Sequence, residues 1–206
     1  KLVDHLKPGD YSGLVVFSSE VQLVSKLIEM TQENKSILKQ KIGDLHATTS
    51  TNFSGGMLEG LKQLNSVDLS KDMLLRLIML TDGQANVGVA TKYEHLVKLL
   101  EQNIGKATVS CFGYGEDADQ ELLAGLAKHG KGNYAFIQKP DDALSAFAKE
   151  LGGLLSTYAQ NINITIESKN GHIINEVISD VDVDGNDKKV IVKLPEILSE
   201  EVRNIV

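Results

Sequence analysis

The sequence predicts an α/β fold: a doubly wound, mostly parallel sheet with helices on both faces, followed by an antiparallel β segment. Three observations carry this. Leu74-Leu-Arg-Leu-Ile-Met-Leu80 is an almost unbroken apolar run ending abruptly in Thr81-Asp82-Gly83, which reads as a strand buried on both faces, as in a parallel sheet. Similar runs alternate with helix-period segments along the chain, the order of strand–helix units. After Gln160 the period changes, and Ile162, Ile164 and Ile166 alternate with polar residues, as half-buried antiparallel strands do. The boundary is therefore expected near residue 160, dividing the chain into 1–159 and a β-rich 160–206 that reads as part of a second β domain.

The elements follow in order. Lys1 to Leu6 reads as the last turns of a helix stopped by Pro8-Gly9. Tyr11 to Ser19 is a buried strand and Val21 to Leu27 a mixed edge strand. A helix over Asn34 to Leu45 presents Ile37, Leu38, Ile42 and Leu45 as its apolar stripe. The loop His46 to Ser54 carries five hydroxyls, and Gly55-Gly56 opens a helix marked by Met57, Leu61 and Leu64. Beyond the Asp82 strand, Thr91-x-x-Glu94 has the form of a capping box. Tyr93, Leu96, Val97, Leu100 and Ile104 then mark a helix ended by Gly105. Ala107 to Phe112 is a strand, Asp117 or Asp119 caps the helix of Leu122, Leu123 and Leu126, and Gly130 stops it. Asn133 to Ile137 is a short strand, and Asp141 to Tyr158 an amphipathic helix. Asn170-Gly171 supplies a hairpin turn, with partial alternation over Ile173 to Ile178 and Val190 to Leu194.

Composition narrows the function classes. Of 206 residues, 42% are hydrophobic and 24% charged, enough to bury a full core. A net charge of -7 without a basic run argues against nucleic-acid binding, and no apolar run is long enough to span a membrane. The one cysteine, Cys111, excludes an intrachain disulfide and fits a reducing compartment; its apolar neighbours make it a packing residue.

Asp82 follows a strand of the kind at whose carboxyl ends open α/β sheets bind ligands; taken alone, an Asp-Gly turn or a helix cap is the simpler reading. Thr51 lies 31 residues earlier in the hydroxyl-rich loop. If the sheet is doubly wound the two loops can meet, and a hydroxyl with a carboxylate suits a hard cation such as Mg²⁺; a loop hydroxyl bonded to nearby backbone is the simpler role for Thr51 alone. Gly113-x-Gly-x-x-Ala118 has the loose form of a dinucleotide fingerprint, but Glu116, Asp117 and Asp119 crowd the place a pyrophosphate would take. Asp180-x-Asp-x-Asp184-Gly185 resembles the start of a calcium loop, yet its twelfth position is Ile191, and a hairpin turn at Asp184-Gly185 explains it better. The five histidines have no metal-ligand spacing, and no serine elbow or Cys/His pair suggests a nucleophile.

Leu80-Thr-Asp-Gly83 after an apolar strand, with Ser50-Thr-Asn52 and Gly55-Gly-Met-Leu-Glu-Gly-Leu61 before it, resembles a von Willebrand factor A domain, a Rossmann-like fold. Leu6-Lys-Pro-Gly-Asp10, Val15-Val-Phe-Ser-Ser19, Phe112-Gly-Tyr-Gly-Glu-Asp117 and Gly132-Asn-Tyr134 fit the same order. The resemblance covers residues 1 to about 158. It implies a non-enzymatic protein-binding module with a metal-ion-dependent adhesion site at the top of the sheet, holding Mg²⁺ (or Mn²⁺ or Ca²⁺). Thr51 matches the family's metal-binding threonine and Asp82 its metal-binding aspartate. A protein partner's Asp or Glu carboxylate would complete the metal's octahedron. The family's first strand and its Asp-x-Ser-x-Ser loop are not in this sequence; they would precede Lys1, and residues upstream or another chain are expected to supply them. Two rivals remain: a metal-independent scaffold of the same fold, and a nucleotide-binding α/β enzyme.

Overall fold

A computed structural model of the chain describes residues 2–46, 50–66, 73–82, 84–139, 157–178 and 183–198. The chain forms two compact units, Lys1–Ala148 and Lys149–Val206.

The first unit begins with α1 (Leu2–His5), the hairpin β1 (Tyr11–Phe17) and β2 (Val21–Glu29), and α2 (Gln32–Gly43). The hairpin is antiparallel and is packed on both faces. On one, Leu14 and Ile28 meet Val3 and Leu6, Met30 and Leu38; on the other, Phe17 and Leu27 join the main core. Lys35 Nζ donates to the carbonyl of Leu6, and Asp4 pairs with Lys39, so α1 is tied to α2 by charge as well as by packing. The apolar stripe expected on α2 is only partly used. Leu38 is buried, whereas Ile37, Ile42 and Leu45 are exposed. The reason is contact area: a four-residue α1 and one face of a hairpin cover a single line of the helix.

α3 (Phe53–Ser66) lies across both the hairpin and the following sheet. It can do so because two of its glycines face strand side chains. A Cβ on Gly56 would stand 2.3 Å from Phe17 Cδ1, and one on Gly60 2.6 Å from Leu77 Cδ1. That sheet is parallel, in the order β3 (Arg76–Thr81), β4 (Thr108–Tyr114), β5 (Lys131–Ile137), with α4 (Tyr93–Asn103) and α5 (Gln120–His129) as its crossovers. Register pairs Met79 with Cys111 and Cys111 with Tyr134; this row faces Phe53, Met57 and Leu61 of α3, Leu96 and Leu100 of α4, and Leu123 and Leu126 of α5. A parallel sheet flanked by helices is thus present, as the sequence predicts. Among the described residues the hairpin and the three-stranded sheet share no ladder and are joined through α3.

Helix starts correct the sequence reading in detail. Thr31 caps α2, its hydroxyl accepting the Asn34 N–H at 3.2 Å, and Asp119 caps α5, accepting from Leu122 at 3.0 Å. The capping box at Thr91 and Glu94 does not form. The cap residue of α4 is Lys92, with no side-chain hydrogen bond, so Thr91 lies one residue outside the position from which its hydroxyl would reach an orphan amide. The helix expected over Asp141 to Tyr158 falls outside the described residues up to 156; Thr157 and Tyr158 belong to a strand.

The second unit is an antiparallel sheet in the order β6 (Thr157–Glu167), β8 (Lys189–Leu198), β7 (Val183–Gly185). Ile162, Ile164 and Ile166 pair with Leu194, Val192 and Val190 and share their cluster, so the alternation after Gln160 is the buried face of this sheet. Asn170 and Gly171, at φ 55° and 80°, form the turn, closed by the His172 N–H donating to Lys169 O at 3.1 Å. No strand follows it: residues 173–178 are irregular, and the Ile174 N–H is taken by Asp187 O at 2.7 Å. The reversal expected at Asp184-Gly185 lies one step later. Asn186 Oδ1 accepts from Lys188 and Lys189 N–H, while Asp184 stays in β7 and pairs with Lys193. Asp180 and Asp182 fall outside the described residues.

Candidate functional site

Three loops meet at the carboxyl ends of β1 and β3. From the first, Ser18 and Ser19 offer backbone carbonyls: the Asn52 N–H donates to Ser18 O at 2.6 Å, and its side-chain amide to Ser19 O at 3.4 Å. From the second, Asn52 Oδ1 accepts the Gly55 N–H at 2.9 Å, which satisfies one orphan donor of α3. The helix therefore starts at Phe53, two residues before the glycines that the sequence suggests. The third loop, residues 84–90, follows β3. Asn86 Oδ1 accepts the Thr51 N–H at 2.9 Å, and the backbone N–H groups of Asn86 and Val87 donate to Thr51 O at 3.3 and 3.4 Å. Ser54, fully buried, accepts the Ala90 N–H at 3.3 Å and donates to Asn52 Oδ1 at 3.4 Å.

Thr51 is half-buried in this cluster, and Asp82 is exposed at the first position past β3. The structure brings the Thr51 backbone onto the loop that Asp82 begins; the link runs through Asn86 and Val87, not through a contact between the two side chains. Next to Thr51, Ser50 holds a φ of 152°, outside the range usual for a residue with a Cβ. Thr81 is buried, its register partner on β4 is Gly113, and the exposed Tyr114 ends that strand.

The donor chemistry decides what this edge can hold. A threonine hydroxyl and an aspartate carboxylate are hard oxygen donors, fit for part of the shell of a Mg²⁺-class ion and poor ligands for a soft one. Among the described residues no group of three or more His, Cys, Asp or Glu is placed to hold a metal. The other sequence candidates are placed elsewhere. The Gly113-to-Ala118 stretch ends β4 at Tyr114 and then turns, the Ala118 N–H donating to Gly115 O at 3.3 Å, and leads into the Asp119 cap. Cys111 is fully buried, and burial pushes its thiol up to about 12, so it remains a neutral packing group. His129 Nδ1 pairs with Glu101 at 3.0 Å and stands edge-on to the Tyr93 ring.

Asn86 and Asn52 escape a reading of the sequence. Asn86 meets Thr51 35 residues away and Asn52 meets Ser18 and Ser19 34 and 33 residues away; nothing local marks Asn86, and only the cap that Asn52 makes to Gly55 has a local signal.

A parallel sheet with helical crossovers, the loop after β3 bonded to the loop that opens α3, defines an α/β domain of the kind whose ligands meet the carboxyl ends of the strands. The von Willebrand factor type A domain matches residues 1–150, and the chain belongs to that family, whose domains are protein-interaction modules. The inter-alpha-trypsin inhibitor heavy chain H1 of Bos taurus is 29% identical over 148 residues, covering 69% of this chain and 16% of its own length. This chain therefore spans a small part of that curated relative. Among solved structures, a von Willebrand factor type A protein from Catenulispora acidiphila superposes with a TM-score of 0.74 at 17% identity, over 97% of this chain and 49% of its own. Proximal thread matrix protein 1 of the mussel byssus, solved with a zinc-occupied adhesion-site motif, gives a TM-score of 0.59 at 18% identity, over 83% of this chain and 43% of its own. Likeness at these identities is one of fold.

Proposed function

We propose that this chain is a non-enzymatic protein-binding module whose binding edge carries a divalent-cation site, with Thr51 and Asp82 as two of its oxygen donors. The observation that supports this reading is the bonding of the Thr51 backbone to the loop that follows Asp82. It holds a hydroxyl-bearing and a carboxylate-bearing loop together at the edge where α/β sheets bind ligands. A hard cation there supplies an electrophilic centre for a carboxylate of a protein partner. The role of the chain's own residues is to present oxygen atoms: Asp82 offers charge, Thr51 a neutral oxygen, and the adjoining loops restrict how far either can drift.

Titration calorimetry with Mn²⁺ on the full-length protein tests this. Asp82→Ala removes a charged donor and Thr51→Val removes a hydroxyl while keeping its shape. Both are expected to lose affinity by about 10-fold or more, with melting temperatures unchanged because neither side chain lies in the core. Equal Mn²⁺ affinity in the wild type and both variants would displace the site from these residues. Absence of binding in the wild type would leave the metal-independent scaffold as the better reading.

A further inference from the structure

Asn86 holds Thr51 from both ends of its own residue. Its side-chain Oδ1 takes the Thr51 N–H at 2.9 Å, its backbone N–H reaches the Thr51 carbonyl at 3.3 Å, and Val87 adds a second donor to that carbonyl at 3.4 Å. Both backbone polar groups of Thr51 are thus taken up by a segment beginning four residues after Asp82. On the other side, Asn52 is bonded to Ser18 and Ser19. Thr51 is held between the two loops, and among the described residues its backbone bonds run to the later one.

We propose that Asn86 is a positioning residue: its side-chain oxygen fixes the Thr51 backbone, and so sets where the Thr51 hydroxyl stands relative to the Asp82 carboxylate. The inference rests on the cation-site reading above and adds to it a residue that offers no atom to the ion. Physical chemistry favours a side-chain acceptor in this place. Thr51 is only half-buried, so its backbone amide, if left to water, would exchange partners freely; an acceptor fixed on the neighbouring loop gives it one geometry. Groups that orient a ligand without touching the metal affect affinity strongly, because a donor free to swing must be ordered on binding.

The discriminating experiment joins two measurements on the full-length protein. Amide hydrogen exchange at Thr51 is read without metal, and Mn²⁺ affinity is read by calorimetry, in wild type, Asn86→Ala and Asn86→Asp. The alanine variant loses the acceptor; the aspartate variant keeps an oxygen in the same place. The expected result is faster Thr51 exchange and about 10- to 100-fold weaker Mn²⁺ binding in Asn86→Ala, with both restored in Asn86→Asp. Wild-type Thr51 exchange in Asn86→Ala would overturn the clamp, and unchanged Mn²⁺ affinity alongside faster exchange would overturn its role in positioning. Failure of the wild type to bind Mn²⁺ would instead remove the cation site, and this role with it, while leaving the exchange result to stand for the clamp. Should Asn86→Ala not fold, Asn86→Ser, whose hydroxyl is too short to hold the same geometry, carries the same predictions.

Discussion

Gly88 shows how closely the loops beyond β3 and before α3 are packed at the scale of single residues. Its φ of 115° disfavours any side chain, and a Cβ there would stand 2.2 Å from Asn52 Oδ1 and 2.4 Å from Ser54 Oγ. Those two oxygens are engaged in holding the start of α3 and the Ala90 amide. Gly88→Ala must therefore move the 84–90 loop or break those bonds, and overpacking of this kind costs about 1–3 kcal/mol. Urea unfolding should show that loss, and Thr51 amide exchange should quicken because the same loop carries Asn86. An alanine variant as stable as wild type would mean that the loop has room to shift. Glu59 illustrates a residue whose charge is locally satisfied: hydrogen bonds from Lys62 and Gln63 hold its carboxyl below the usual range.

At the scale of elements, the helix starts separate side chains that cap from those that only have the right sequence. Thr31 and Asp119 each accept an orphan amide, whereas Thr91 accepts none. Substituting alanine should cost about 1 kcal/mol at Thr31 and at Asp119 and no more than about 0.5 kcal/mol at Thr91. Chemical denaturation of the three variants checks the ranking, and a Thr91→Ala loss equal to the others would restore the capping box. The difference arises because α4 begins where Tyr93 can lie against Gly125 of α5, a Cβ on which would stand 2.6 Å from the Tyr93 ring. Packing between helices fixed the start of α4 one residue past the sequence motif.

For the molecule as a whole, pH reports on the core of the first unit. Burial raises the Cys111 thiol from its ordinary 9.0 to about 12. Between those values the unfolded chain releases a proton that the folded one keeps, so stability is fully present below pH 9.0 and falls as pH rises toward 12. Cys111→Ala removes this contribution, and its unfolding free energy should decline less steeply above pH 9.0 than that of wild type; parallel curves in denaturant titrations would contradict it. How much of this architecture is legible in sequence depends on the range of the interaction. The strand ending at Thr81, the alternation of Ile162, Ile164 and Ile166, and the Asn170-Gly171 turn were determined by the sequence itself, because side-chain period and turn preference act within a few neighbouring residues; the burial expected on both faces of that strand was not, since Leu80 is exposed and Leu77 and Ile78 only half-buried. The order of motifs also carried the family and marked Thr51 and Asp82 as candidates. Tertiary structure alone decided which side of α2 is covered, why Thr91 caps nothing, and that the chain reverses at Asn186 and not at Asp184. It alone also placed Asn86 against Thr51, 35 residues away. A hydrogen bond across that separation exists only after packing has brought two loops together, and no local preference of either residue encodes it.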